Sequence, residues 1–387
     1  MRVFGKWLGR ALIALILAAA VVGFWKREEI MRLMAVNSLF SAEKIVQNFS
    51  HMDAAFLTTP VSRGDGPVTP LPRGEDLTLP PETADWIKAR SVTSLLVMQD
   101  GKIRFEDYYL GTTADDRRIS WSVAKSYLSA LLGVLVADGV IESLDDPVVK
   151  YAPKLKGSAY EAASIRNVLN MASGVTFDED YLDYDSDIKR MGRVIALGGA
   201  LDDFTASFTE SFAAPGEVWQ YVSIDTHVIG MVVRGATGRD IPGLLSEKIV
   251  APLGLEQDGL YITDGDGVAF VLGGLNFTTR DFARFGQMIL QNGQYEGEQV
   301  VPAQWIAEST VASAPTQPGQ IGYGYQWWIP VGAQPGQFLA RGVYGQYIYF
   351  DQSRGLLIVT TGADRLFKEP GVSQANIAMF RSIAQNL

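Results

Sequence analysis

The sequence contains no cysteine. That excludes disulfides, thiolate metal sites and a cysteine nucleophile, while leaving the compartment open, because many exported proteins also lack cysteine. Histidine is nearly absent, with only His51 and His227 present. A histidine-rich metal site is excluded, and a Ser-His-Asp triad would have to use one of these two. There is no G-x-S-x-G elbow, which disfavours an α/β-hydrolase. Neither G-x-x-x-x-G-K-[ST] nor G-x-G-x-x-G occurs, so nucleotide binding lacks support and no cofactor is expected. A net charge of −10 repels phosphate backbones and argues against a nucleic-acid partner.

What is present is globular in composition, 47% apolar and 20% charged over 387 residues. That length fits one large domain or two intimately packed ones. Residues 11–25 carry no charge, with Arg2, Lys6 and Arg10 before them and Lys26 and Arg27 after. A basic flank followed by an apolar run reads as an export signal. Ala18-Ala19-Ala20 fits a cleavage site, but Val21, Val22, Phe24 and Trp25 prolong the run, which favours an uncleaved membrane anchor with the rest of the chain exported. The expected organisation is an anchor or signal over 1–28, a stalk and proline-rich linker over 29–82, whose 58–82 part is either an extended linker or a wrapping arm, and a globular body over 83–387.

Within that body, Thr83–Arg90 reads as a short helix. Ser94–Met98 and Ile103–Tyr109 read as a hairpin about Asp100-Gly101. A second hairpin pairs Tyr347–Phe350 with Leu356–Thr361, and a last helix covers about 373–386. Strands near both ends with helices between predict an α+β body. One antiparallel sheet draws on about 83–115 and 335–387, with a mainly helical lobe between.

The chemistry starts at Ser122-Val123-Ala124-Lys125. Residues three apart share a helix face. A serine hydroxyl is a weak nucleophile until a base takes its proton, and a lysine whose ammonium is destabilised by burial is such a base. The start of a helix also favours developing negative charge. About one S-x-x-K spacing is expected by chance, and Ser41-Ala42-Glu43-Lys44 is a second match. Ser122 is preferred because Ala124, Tyr127, Leu128, Leu131 and Leu135 make its helix apolar on one face. The alternative is that Ser122 caps the helix and Lys125 faces solvent. Pro215-Gly216 leads to Tyr221-Val222-Ser223, where Tyr221 is either a packing aromatic or a proton shuttle.

Taken in order, these motifs resemble the serine β-lactamase and penicillin-binding-protein superfamily, in its class C-like esterase and amidase branch. The likeness runs from about residue 85 to the end. It also includes Ser173-Gly174, Pro252-Leu253-Gly254, the Gly273–Asp281 run and Gly322–Trp328. Within the branch, Phe177–Tyr181, Tyr221–Thr226 and Gly342–Gln346 are similar to the 6-aminohexanoate-dimer hydrolases and related carboxylesterases. The third family motif, usually Lys/His-Thr-Gly, is replaced by Ala340-Arg341-Gly342, where Arg341 could supply part of the missing charge.

The resemblance implies a small-molecule ester or linear amide as substrate, cleaved through an acyl-enzyme. Ser122 would be the nucleophile, Lys125 the base and Tyr221 the proton donor. Val343 and Ser122 amides would form the oxyanion hole next to Gly342, Tyr181 would contact the substrate, and Ser223 would stand where the family has asparagine. Trp327 and Trp328 are either walls of an acyl pocket or core residues. A peptidoglycan D-amino-acid peptidase, a weak β-lactamase and a non-catalytic scaffold on the same fold are the alternatives. The acidic run Asp178–Asp187 reads as a solvated loop, since Ile188 and Val194 stand where a calcium loop needs glycine and glutamate. His227 is expected to be structural.

Overall fold

A computed structural model describes the backbone of residues 2–387, and the side chains of residue 7 and residues 10–387. The strand Val92–Gln99 sets the architecture. Its side chains alternate in direction, yet Leu95, Leu96, Val97 and Met98 are all buried, so both faces of its sheet are covered. Leu95 and Val97 share a core with Trp86, Ile377, Phe380 and Ile383. Leu96 and Met98 join the main core with Leu128, Phe285 and Ile289. Helices Thr83–Ala89 and Val372–Gln385 therefore cover one face, and Ala124–Ala137 and Thr279–Leu290 belong to the other.

The seven strands lie in the order Lys102–Tyr108, Val92–Gln99, Leu356–Gly362, Gln346–Asp351, Gln337–Gly342, Trp328–Ile329 and Gly322–Tyr323. Every neighbouring pair is antiparallel. Both expected hairpins are present. At the first turn, Asp100 and Gly101 take φ of +50° and +75°, the left-handed pair that a two-residue hairpin demands. Short helices fill the middle of the chain, giving the expected α+β body.

Residues 39–82 pack onto the body. Leu39, Ile45, Phe49 and Met52 are buried in the main core. Leu57–Val61 is an edge strand of a second sheet, followed in order by Gly259–Thr263, Leu275–Phe277 and Arg118–Ile119. Pro60 is tolerated there because an edge strand can spare an N–H. The chain then wraps the outer edge of the large sheet. Ile103 N donates to Pro72 O at 2.8 Å, Gly74 N to Ile103 O at 2.9 Å and Leu77 N to Arg104 O at 2.7 Å. The proline-rich tract is thus an arm that covers an exposed edge.

The expected membrane anchor falls on the helix Arg2–Trp25. Among the described residues, no helix is long and apolar enough to cross a membrane. A transmembrane span therefore finds no support here.

Candidate active site

The nucleophile candidate is built into a strained connection. After the strand Arg118–Ile119, one tight turn, Trp121–Val123, carries Ser122 into the helix Ala124–Ala137. Trp121 takes φ of +43°, a left-handed conformation that costs a non-glycine residue about 1 kcal/mol or more. Tyr344, directly after Val343, is also left-handed at φ +61°. Both are gripped by the same two aromatics. Phe40 stacks on Tyr344 with centroids 5.1 Å apart and lies 5.9 Å from Trp121. Phe49 meets Trp121 at 5.5 Å and Tyr344 at 5.4 Å. Phe49 O also accepts from Ile119 N at 3.0 Å. The N-terminal segment thus clamps the residues that flank Ser122 and Val343.

Phe40 is only half-buried, so Phe40→Ala loosens the clamp without opening the core. Its kcat should fall about tenfold, as expected when reacting groups lose alignment, with only a small drop in melting temperature. Steady-state kinetics beside thermal unfolding checks this. A kcat within twofold of the parent would show that the clamp does not position the site.

Lys125 is fully sequestered on its helix. Its Nζ donates to Leu272 O at 2.9 Å and to Ser223 Oγ at 3.2 Å. Burial brings the ammonium down to about 7, against the opposing charges of Glu179 and Asp225. The solvent-facing alternative for Lys125 is therefore not what the fold adopts. Asp225, on the helix Ser223–Thr237, accepts from Tyr160 OH at 2.8 Å and Ser173 Oγ at 2.7 Å. Burial pushes its carboxyl up to about 7. The Ser173-Gly174 landmark thus helps hold a carboxyl group behind the lysine.

Tyr221 sits over the lysine, with Nζ 5.5 Å from the ring centroid. Its phenol is raised well above the usual tyrosine range, by burial first and then by the charge of Glu179. Hydrogen bonds with Ser122 and Ser223 and the charge of Arg341 pull the other way. Near neutral pH the phenol therefore keeps its proton. Glu179 escaped the sequence reading. Its carboxylate accepts from Ser223 Oγ, from Ser223 N at 2.9 Å and from Tyr181 OH at 2.5 Å. One carboxylate thus orients both the residue that replaces the family asparagine and the expected substrate contact. The acidic run hid it, since nothing in the spacing separates Glu179 from Asp178, Asp180 or Asp183.

A cavity of about 500 Å³ brings together Ser122, Glu179, Tyr181, Tyr221, Gly342 and Val343. Lys125 and Ser223 are buried and do not line it. Trp327 is a correction. It is 1% exposed and packs edge-on against Phe338 at 5.5 Å and Phe350 at 5.7 Å, so it is a core residue. Trp328 lines the cavity instead, 4.9 Å from the Tyr221 ring. His227 pairs through Nε2 with Asp202 Oδ1 at 2.8 Å, which also accepts from Arg234 at 2.6 Å. It joins structural elements and does not line the cavity. In the acidic loop Asp180 pairs with Lys368 at 2.6 Å, and Asp187 accepts from Asp178 N at 2.9 Å. Among the described residues no acidic or histidine cluster is arranged to hold a metal ion.

Gly342 owes its place to space. Its φ of −119° is open to any residue, but a Cβ would lie 2.6 Å from Ser120 O and 3.1 Å from Ser122 N. The bare backbone is what lets the strand Gln337–Gly342 approach the Ser122 amide.

Comparison with known proteins agrees with this geometry. The beta-lactamase family model matches residues 83–366. The chain is 30% identical over 330 residues to 6-aminohexanoate-dimer hydrolase of Paenarthrobacter ureafaciens, covering 80% of this chain and 83% of that one. Among solved structures, a Bacillus anthracis protein assigned as a 6-aminohexanoate-dimer hydrolase superposes with a TM-score of 0.79 at 22% identity, covering 90% of this chain and 95% of that one. A D-stereospecific amidohydrolase from Streptomyces gives 0.54 at 20% identity, covering 76% and 98%. At these identities the two superpositions speak for the fold alone. Since the family match spans the turn that carries Ser122 and the strand that meets it at Gly342, the chain belongs to the beta-lactamase family, with its β-lactamase/transpeptidase-like fold and serine-hydrolase activity.

Proposed function

We propose that the protein hydrolyses ester or linear amide bonds through an acyl-enzyme on Ser122. Lys125 carries the reading, because its buried amine, on the helical turn that follows the motif serine, is brought to about 7. A neutral Lys125 takes the Ser122 proton while Oγ attacks the substrate carbonyl. The amides of Ser122 and Val343 hold the oxyanion. Tyr221 then gives its proton to the departing alcohol or amine and regains one from Lys125. Water attacks the acyl-enzyme by the reverse route, releasing the acid and restoring Ser122. The name of the Paenarthrobacter relative, a dimer hydrolase of an aminoalkanoate, supports linear amides as one substrate class. Arg341 in place of a Lys-Thr pair supports esters and linear amides over β-lactams.

The test is reaction with a fluorophosphonate probe together with turnover of short esters and linear amides. Labelling and turnover are expected. Their joint absence sinks the reading in favour of a binding protein on this fold. Because the acceptor is the unprotonated amine, kcat/KM should rise with pH through about 7 and level off above it. A profile flat from about pH 5 to 8 would remove Lys125 from the proton path.

We also propose that the N-terminal helix lies against lipid, with the catalytic body on the exported side. Leu12, Ile13, Leu15, Ile16, Leu17, Val21, Val22, Phe24 and Trp25 are all exposed. The stretch from Ala11 to Trp25 carries no charge, and an uncharged apolar stretch exposed on every side favours an apolar surrounding. Recovery of the full chain in the membrane fraction, lost on deleting residues 1–28, checks it.

A further inference from the structure

We propose that the Ser122 cleft opens onto a lipid surface, held there by the exposed apolar side chains Ile30, Met31, Met34, Leu182, Tyr184 and Leu366, so that esters and amides with a long apolar tail pass from the bilayer into the cleft. This rests on the Ser122 hydrolase reading and on the N-terminal helix lying against lipid, and it adds a substrate class to the first. The face starts on the N-terminal helices. Lys26 N donates to Val22 O at 2.8 Å and Ile30 N to Lys26 O at 2.9 Å. Helical hydrogen bonding thus carries on from Arg2–Trp25 into Arg27–Ser38. No residue of the second helix is buried. Ile30, Met31 and Met34 are exposed, and their spacing puts them on one side of it.

That helix leads to the cleft. It lies against the helix Asp187–Ala196, whose Lys189 rests over the Phe40 ring at 5.0 Å. Phe40 stacks on Tyr344 at 5.1 Å, Tyr344 meets Phe367 at 4.6 Å and Phe367 meets Tyr181 at 6.1 Å. Phe367 and Tyr181 line the Ser122 cleft. Their chain neighbours Leu366 and Leu182, and Tyr184 just beyond, point away from it. Leu182 and Tyr184 are 75% and 70% exposed, and Leu366 is 48% exposed. Large apolar side chains gathered at one rim mark a contact surface, whereas single ones scattered over a body do not. The Arg27–Ser38 helix is only about 18 Å long, so a bilayer that holds the Arg2–Trp25 helix lies within reach of this rim.

Behind the rim, the cleft is walled in part by Tyr181, Tyr221, Trp328, Val343, Phe367 and Pro370, an apolar lining that suits an acyl chain. Charge does not supply the attraction. The chain carries −10 overall. Asp180 and Asp187 of the acidic loop are paired with Lys368 and Arg190. Asp183 and Asp185, which alternate with Leu182 and Tyr184, form no ion pair among the described residues. An anionic lipid surface is therefore repelled, and the adhesion comes from apolar burial. A zwitterionic bilayer is the surface this face fits.

The experiment uses the full chain and phosphatidylcholine vesicles. Because the sequence has no cysteine, Tyr184→Cys gives a single site for an environment-sensitive fluorophore. Its emission should shift to the blue on the vesicles and be quenched by lipid carrying a doxyl group on the acyl chain. Activity is read with soluble p-nitrophenyl acetate and with p-nitrophenyl palmitate dissolved in the same vesicles. The pair Leu182→Ser and Leu366→Ser, and separately Met31→Gln and Met34→Gln, should keep kcat/KM for the acetate within twofold. Each pair should lower palmitate hydrolysis about tenfold, the scale of two apolar side chains losing partial burial. Leu182→Phe with Leu366→Met should retain it. A label that neither shifts nor is quenched, palmitate hydrolysis that the serine and glutamine pairs leave unchanged, or an equal loss on both esters overturns the face. If the full chain binds the vesicles and one of these results is found, the face alone falls. If the full chain stays off the vesicles, the lipid reading of the N-terminal helix falls with it. If neither ester turns over and no fluorophosphonate labels the protein, the hydrolase reading falls as well.

Discussion

Replacing Lys125 with methionine is expected to lower kcat/KM by roughly 10²–10⁴-fold, the scale of a lost general base. Ser122→Ala should remove at least as much activity and abolish fluorophosphonate labelling. The double variant should be no worse than the worse single, because in the proposed mechanism both residues act on one proton and their effects do not add. Methionine matches the length of the buried lysine stem. It removes an amine whose charged form is penalised by complete burial, at the expense of the donor to Leu272 O. The melting temperature should therefore hold or rise, because relieving a buried ionisable group offsets a lost hydrogen bond. Activity that collapses while stability holds is the signature of a group kept for chemistry. Retention of a tenth of the parent kcat/KM by Lys125→Met would mean another group takes the Ser122 proton.

Much of the site was legible because its chemistry follows local periodicity. Ser122 and Lys125 are one helical turn apart, and the apolar face of Tyr127, Leu128, Leu131 and Leu135 implies burial from the sequence alone. Tyr221, Gly342 and Val343 required the order of several motifs, since each alone has an ordinary packing explanation. Three features stayed hidden for physical reasons. Trp327 and Trp328 are adjacent in a nearly extended stretch, where neighbouring side chains point to opposite sides, and only the fold says which one meets the cavity. Glu179 acts through Ser223 and Tyr181, partners that an acidic run does not reveal. Phe40 and Phe49 clamp Trp121 and Tyr344, residues far along the chain, and the proline-rich tract after them masked their place in the core. Each of these depends on contacts distant in sequence, which override local composition.

Gly342→Ala tests the proposed oxyanion hole more sharply than any change at Val343, which would contribute a backbone amide. The added methyl is small and the backbone can accept it at φ −119°, so conformational strain is not the issue. What matters is the approach of the strand to the nucleophile's turn. A Cβ would meet Ser120 O at 2.6 Å, Ser122 N at 3.1 Å and Gln346 Cβ at 3.1 Å. Ser120 is tied by its own amide to Leu275 O at 2.8 Å. Gln346 is held by its side chain to Gly362 O at 2.8 Å and Gly362 N at 3.1 Å. Neither neighbour can yield easily, so the strand must move off the Ser122 turn and the two amides part. A donor pair displaced from the developing oxyanion costs roughly 10²–10³-fold in kcat. Substrate binding, which uses the rest of the groove, should leave KM within a few-fold. Kinetics of Gly342→Ala with a short ester checks this, read beside its thermal unfolding. A fully active variant would place the oxyanion donors elsewhere than Ser122 and Val343.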